Sequence, residues 1–456
     1  MNVTTDRFPP GPTMTPILQS ASWVFRPVPY LESCRARFGD TFTMQLAGLP
    51  RLVILSNPSD IKEVFTGDPD VFHAGSANVV LRPILGRSSL LLLDGERHMK
   101  ERRLMMPAFH GERMQAYARV MRDAADRSID RWPSDPDRTF SFHHEMQEIT
   151  LDVILRAVFG VEDGGTKSAL RDALVRMLSF GEHPGLLLLI GSDGTLRWQS
   201  LHDRLGRLSP WASFQRVLDE VDARILDEIR ARRARPGHGD DVLSMLLAAR
   251  DEDGQALDDE SLVSEMKTLL VAGHETTATS LTWTMLELLQ HPAALRTLRD
   301  EILSARGASG ATSGGGPYIE AVVRESLRLR PVVPLVGRRL TAPATVGGRQ
   351  YPAGTVLAPS IWLTQRNPAV WPDPDRFKPE RFLGWKPNPY EFLPFGGGVR
   401  RCIGLAFALF EMKEVLARIL ERTELTLAPG YKPKLVRRAI TFAVGEGLPV
   451  RRVRPS

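Results

Sequence analysis

Cysteine is almost missing from this chain: Cys34 and Cys402 are the only two in 456 residues. One disulfide could not staple a chain of this length, so a disulfide-built secreted scaffold is excluded and a reduced, cytoplasmic setting is expected. Long apolar runs are missing too. Met1–Ser20 carries Pro9, Pro10, Gly11, Pro12 and Pro16 where a leader would need about 18 apolar residues in a row, so neither a membrane anchor nor a secretory signal is expected. The short runs Leu90–Leu93 and Leu187–Ile190 read as core or pocket wall. Charge of one sign is scarce, with 59 Lys plus Arg against 54 Asp plus Glu. That excess argues against nucleic-acid binding but leaves room for a local basic face toward an acidic partner. There is no internal repeat and no linker long enough to part independent domains. What remains is an ordinary soluble-globular mixture, 43% hydrophobic and 25% charged.

Periodicity makes the chain mainly α with a minor β lobe. Thr41–Leu46 and Arg51–Ser56 read as strands around the turn Ala47–Pro50, and Thr345–Tyr351, Thr355–Pro359 and Ile440–Val444 as later strands. Helices are expected over Pro58–Phe65, Arg97–Met105, Gly111–Arg131, Phe142–Phe159, Ser168–Ser179, Pro210–Arg233, Asp241–Ala249, Pro317–Leu329 and Ile403–Arg422. A long helix over about 261–290 would span roughly 45 Å, enough to cross a domain. Ala234–Asp240 reads as a polar connector, Gly307–Gly316 as an exposed loop, and residues 1–20 as a flexible Pro-rich segment.

The chemistry centres on Phe395-Gly-Gly-Gly398-Val-Arg400-Arg-Cys402-Ile-Gly404. Glycines permit tight turns and close approach to a flat ligand. A cysteine at a helix start is expected to have a lowered thiol pKa and to favour the thiolate, a known axial ligand of haem iron. Arg400 suits a haem propionate. An isolated Cys-x-Gly would be read as a buried free thiol; the full Phe-x-x-Gly-x-Arg-x-Cys-x-Gly run resembles the cytochrome P-450 family of haem-thiolate monooxygenases, in its soluble bacterial type, and the resemblance runs from about Thr41 to the C-terminus. It implies one P-450 domain over 1–456, with heme b between the long helix and the ligand loop 395–404, bound through Cys402 and shielded by Phe395.

Further motifs gain meaning from that resemblance. Glu325-x-x-Arg328 alone could be a solvent salt bridge; with Arg381 in Pro379-Glu380-Arg381-Phe382 it implies a buried structural triad. On the long helix, Ala272-Gly273-His274-Glu275-Thr276-Thr277 implies a groove over the distal haem face, with Ala272 and Gly273 at the cofactor, Thr276 holding dioxygen or a water, and Glu275 in a proton relay. Thr277 is expected to bond to the helix backbone and His274 to point away from iron. His98 and Arg102 share a helical face and, with Arg338, are implied at the propionates; Gly398 and Gly404 complete the cofactor set.

Arg400, Arg401, Arg102, Arg103 and Lys413 are candidates for a basic docking face toward a ferredoxin or flavodoxin with its reductase. Too little chain follows Cys402 for flavin and nicotinamide domains, so NAD(P)H-derived electrons are expected from outside. By resemblance the pocket walls come from residues 72–92, 178–189, 269–277, 332–336 and 445–448, mostly apolar, and suit a fatty acid, terpenoid or steroid substrate. A monomer is expected. The intact Glu275–Thr276 pair weighs against a peroxide-driven enzyme and against a non-catalytic haem sensor; a helical domain in which Cys402 binds nothing would purify without haem.

Overall fold

A computed structural model describes residues 8–109, 113–160, 165–181, 209–234, 239, 241–309 and 315–453. Among these the helices are α1 (Pro16–Phe25), α2 (Pro27–Phe38), α3 (Pro58–Thr66), α4 (Arg82–Leu85), α5 (Gly95–Met105), α6 (Arg113–Ile129), α7 (Phe142–Phe159), α8 (Gly165–Gly181), α9 (Pro210–Ala234), α10 (Val242–Ala248), α11 (Asp259–Gln290), α12 (Pro292–Ser309), α13 (Pro317–Leu329), α14 (Ile361–Thr364) and α15 (Leu405–Arg422). The strands are β1 (Thr41–Met44), β2 (Leu52–Leu55), β3 (Phe72–His73), β4 (Phe140–Ser141), β5 (Arg338–Leu340), β6 (Ala344–Val346), β7 (Arg349–Tyr351), β8 (Val356–Pro359), β9 (Leu425–Leu427), β10 (Leu435–Arg438), β11 (Thr441–Val444) and β12 (Pro449–Arg452).

The main sheet runs β1-β2-β8-β5-β3, with β2 and β8 parallel and its other pairs antiparallel. A three-stranded sheet, β4-β12-β9, and the hairpins β6-β7 and β10-β11 lie apart from it. The largest hydrophobic cluster gathers side chains from the helical body, α6, α7, α11, α13 and α15 among them; two smaller clusters flank the main sheet.

Helix α11 organises the body. Asp258 caps it, accepting from the Ser261 amide at 2.7 Å, and Asp259 and Glu260 place negative charge in its first turn. Buried residues crowd both of its ends, Ser261–Leu270 and Thr277–Leu288, the signature of a helix enclosed on all sides. Its hydroxyls are satisfied within the helix: Thr268, Ser280, Thr282 and Thr284 each donate to the carbonyl four residues back, at 2.6–2.8 Å. Between the buried ends, Val271–Thr276 is more open, and Ala272 is exposed.

Several expectations change. The Pro-rich start is docked, not flexible, from residue 8 onward: Thr43 donates its amide to the Pro10 carbonyl (3.0 Å) and its hydroxyl to Pro9 (2.7 Å). A side chain on Gly11 would collide with the Thr43 carbonyl. Pro16 and Pro27 open helices instead of interrupting them, because proline fits the first helical turn. Thr345–Tyr351 is a hairpin and not one strand: Gly347 and Gly348 adopt φ of 58° and 71°, which turn the chain back on itself. Helix α12 runs to Ser309, into the expected 307–316 loop. Most of the 178–189 wall, the run 187–190 and most of the 234–240 connector lie outside the described residues.

Candidate functional site

Cys402 sits just before α15, and its amide donates to the Phe395 carbonyl at 2.9 Å, closing the ligand loop. Its sulfur is accessible. Burial nevertheless raises the thiol pKa, outweighing the Gly404 amide and the charges of Arg102 and Arg401, which pull it down. Cys402 is thus reachable from outside although protein closely surrounds its thiol. In the protein alone the thiol pKa is thus raised where a low one is expected, because desolvation outweighs the helix start and the two arginines.

The loop glycines serve another neighbour than the one expected. Side chains on Gly397 or Gly398 would strike Phe65 of α3, ring and carbonyl respectively, and Gly398 has φ of 65°. The close approach on this side is of loop to α3. A side chain at Gly404 would meet nothing; its contribution is the amide aimed at sulfur. Phe395 is half-buried and packs against the main cluster.

Positive groups gather beside the sulfur. His98 is buried, and burial together with the charges of Arg400, Arg102 and Arg338 depresses its pKa to about 3. Arg338 is buried with its guanidinium 5.3 Å from the Phe65 ring centre; burial and Arg400 lower it to about 10, against the pull of Asp94. Its Nη1 donates to the Gly337 carbonyl at 2.9 Å, and no carboxylate among the described residues forms an ion pair with it. Arg102 donates to the Arg401 carbonyl at 2.6 Å. Repelling cations around a buried neutral imidazole are costly alone and gain from an arriving anion.

Arg400 has protein partners that its motif does not signal. Asp94 accepts from it at 2.6 Å, and the carbonyls of Leu90 (3.1 Å) and Leu93 accept the rest of its fork. Asp94 also accepts from the amides of Gly75 (2.7 Å) and Ser76 (2.8 Å). Sequence reasoning missed this carboxylate, whose partners are brought in by folding. The same 89–94 segment reaches α11, where Thr268 bonds to Ser89 at 2.7 Å, so it stitches the ligand loop to the long helix.

On α11, Thr276 donates its hydroxyl to the Ala272 carbonyl at 2.6 Å. It is thus Thr276 that back-bonds to the helix; Thr277 is buried. A side chain on Gly273 would meet Ile154 at 2.9 Å, so this glycine lets α7 approach and does not face a cofactor on that side. His274 also turns to α7, with Nδ1 2.9 Å from the Thr150 hydroxyl; burial lowers its pKa to about 4.

Glu275 is held by four groups. Gln147 Nε2 donates at 2.8 Å, Thr279 Oγ1 at 3.3 Å, His143 Nε2 lies 3.3 Å away and Arg438 Nη1 3.7 Å. Burial pushes its pKa up, but His143, His274 and Gln147 prevail and leave it at about 2. An ionised carboxylate so firmly paired is a poor proton donor by itself. Nearby, Glu101 of α5 and Glu265 of α11 form a buried pair. Burial raises both, and Glu101 repels Glu265 further, so together they retain a proton.

The Glu325–Arg328 pair has no solvent exposure on either side chain, with contacts of 2.7 and 2.9 Å, and Arg381 Nε reaches Glu325 at 3.3 Å. Arg328 also donates to the carbonyls of Gln365 (2.9 Å), Pro374 (2.7 Å) and Arg376 (3.1 Å), tying α13 to the 365–381 segment. The expected basic face is largely charge-balanced. Arg103 pairs with Glu252 (2.6 Å), Lys413 with Glu320 (3.5 Å) and Arg400 with Asp94, while Arg401 is exposed.

The family model for Cytochrome P450 matches residues 9–446. Cytochrome P450 135B1 of Mycobacterium tuberculosis is 41% identical over 431 residues, covering 94% of this chain and 88% of that protein. Cytochrome P450 135A1 of the same organism is 35% identical, covering 93% and 90%. Among solved structures, retinoic acid-bound cyanobacterial CYP120A1 aligns with a TM-score of 0.82 and 25% identity, covering 98% of this chain and 99% of that one. The heme domain of cytochrome P450DA aligns at 0.83 with 24% identity and shares the fold.

Proposed function

The chain belongs to the cytochrome P450 family and is a haem-thiolate monooxygenase; from that premise we propose that it hydroxylates a hydrophobic substrate, a terpenoid, fatty acid or steroid. The observation that carries the site assignment is the convergence of Cys402 with His98, Arg102 and Arg338. An accessible enclosed sulfur beside mutually repelling cations has the donor set that haem needs: one thiolate for iron and positive charge for two propionates. Haem held there supplies reductive dioxygen activation and insertion of one oxygen atom into a C–H bond.

The protein's own residues do the rest. Cys402 gives up its proton on ligation, and the Gly404 amide with Arg102 and Arg401 supports the resulting charge. His98 gains a partner and regains basicity when a carboxylate enters among the arginines. Arg400, fixed by Asp94, holds the ligand loop under the 89–94 segment. Thr276 lies on the open stretch of α11 and can release the Ala272 carbonyl to turn its hydroxyl toward dioxygen or a water. Glu275, ionised and paired with His143, serves the relay as a fixed negative charge and transient proton acceptor, not as a store of protons.

Electrons come from an external ferredoxin or flavodoxin with its NAD(P)H-dependent reductase, meeting the surface at Arg401. The apolar residues 269–272 and 332–336 favour a hydrophobic ligand, and the relative with bound retinoic acid, an isoprenoid acid, favours the terpenoid class. A library of terpenoids, fatty acids and steroids screened for substrate-induced spin-state shifts, with product analysis of each hit, tests this. Oxygenated product from a terpenoid supports the reading; turnover confined to small polar compounds contradicts it.

A further inference from the structure

Helix α1 buries Gln19 and Trp23 and leaves most of its other apolar side chains outside. A surface helix ordinarily buries its apolar stripe and exposes its polar one. Here the glutamine is inside: Gln19 is 3% exposed, donates to the carbonyls of Pro12 (3.1 Å) and Met14 (2.9 Å), and accepts from the Tyr30 hydroxyl (3.0 Å) and the Gln45 amide (2.9 Å). Ser20 accepts from the Ala47 amide at 2.8 Å. The outward apolar positions of the helix are Ile17, Leu18, Ala21 and Phe25, spaced three and four apart on one face, with the exposed Met14 just before it. Phe25, Ile17 and Leu18 are 78%, 72% and 55% exposed, the most exposed large apolar side chains among the described residues.

Charge and size narrow what can cover this face. From Phe8 to Leu31 the only charged side chain is Arg26, exposed and directly after Phe25. Arg437 of β10 lies on the inner side, over the ring of the buried Trp23, and leaves Arg26 as the cation of the outer face. No carboxylate occurs in that stretch to repel an anion. The face measures about 15 Å by about 10 Å, on the order of 150 Å², small against the roughly 800 Å² per partner of a stable protein interface. A lipid surface needs no such area: an amphipathic helix sinks its apolar side chains about 5–10 Å into the headgroup boundary, with a cation left at the waterline for an anionic headgroup.

We infer that α1 is a docking face for an anionic lipid bilayer, resting the chain on the membrane surface. The contact is peripheral and reversible, since no helix among the described residues is long and apolar enough to cross a membrane. The inference goes beyond the haem reading and does not depend on it.

Cosedimentation of the haem-loaded full chain with phosphatidylglycerol vesicles, and with phosphatidylcholine vesicles as the uncharged comparison, tests it. The wild type pellets with the anionic vesicles at low salt and less with the neutral ones. The double substitution Ile17→Ser with Phe25→Ser weakens partitioning about 100-fold, roughly tenfold for each large apolar side chain. Arg26→Gln narrows the preference for anionic over neutral vesicles, and Leu303→Ser, at an exposed leucine on α12, changes nothing. Wild-type protein left in the supernatant overturns the inference, as does equal pelleting of the double variant. So does concentration-dependent dimerisation that the double variant abolishes while vesicles bind neither protein, which would assign the face to a second copy. Haem content of every variant is read alongside; it reports on the haem site and is expected to stay unchanged.

Discussion

Exchanging Arg328 for methionine keeps much of the side chain's length and removes its guanidinium. Five donations disappear with it: two to Glu325 at 2.7 and 2.9 Å, and one each to the carbonyls of Gln365, Pro374 and Arg376. Glu325 would keep only the Lys378 amide at 2.8 Å and Arg381 at 3.3 Å, at a position without solvent. Removing one partner of a buried ion pair costs about 3–5 kcal/mol, and each stranded carbonyl adds about 1 kcal/mol or more. The loss, roughly 6–8 kcal/mol, approaches the whole stability of a domain, about 5–15 kcal/mol. Arg328→Met is therefore expected to be recovered unfolded or without haem, not as a slow enzyme. Urea unfolding followed by far-UV circular dichroism, with the haem-to-protein ratio measured in parallel, checks this. Arg328→Lys retains the charge but not the planar fork and should fall between. Adding Glu325→Gln to Arg328→Met should recover part of the loss, because the stranded carboxylate is gone. If Arg328→Met alone unfolds within about 1 kcal/mol of wild type and carries full haem, the ascribed role of this ion pair is refuted.

Two further outcomes follow from the site. Thr276→Ala should lower the product formed per electron consumed and divert reducing equivalents to peroxide or water; unchanged coupling would remove Thr276 from proton delivery. Glu265→Gln should make the protein more stable relative to wild type at pH 8 than at pH 5. The raised pKa of Glu265 means that the folded state keeps a proton which the unfolded chain releases above about 4.5, so wild-type stability falls as pH rises from there toward the folded value. Denaturation curves at the two pH values check this, and a difference independent of pH would contradict the shared-proton pair.

What could be read from the sequence was the chemistry whose parts lie close together along the chain. The ligand loop around Cys402, the Glu325–Arg328 pair and the run Ala272–Thr277 are each contained within about a dozen residues or fewer, and the long helix announced itself by an uninterrupted stretch that stops at His291-Pro292. Partners supplied by distant segments were hidden. Nothing near Glu275 signals His143, Gln147 or Arg438, and nothing near Arg400 signals that Asp94 holds it. The glycines misled for a related reason. Gly273, Gly397 and Gly398 each make room for a neighbour, Ile154 or Phe65, that only the tertiary packing identifies. Helix α1 begins within the segment expected to be flexible and Pro-rich; Pro16 and Pro27 occupy the first turns of α1 and α2, where their missing amide hydrogen costs nothing.

The central claim is that Cys402 is the thiolate ligand of a haem held between the ligand loop and α11. The carbon monoxide difference spectrum of the reduced, purified protein tests it most directly. A Soret band of the thiolate-ligated type, lost in Cys402→Ser, is the predicted result; a haem complex with the band of an imidazole-ligated protein, or a thiolate-type band that survives in Cys402→Ser, would contradict it.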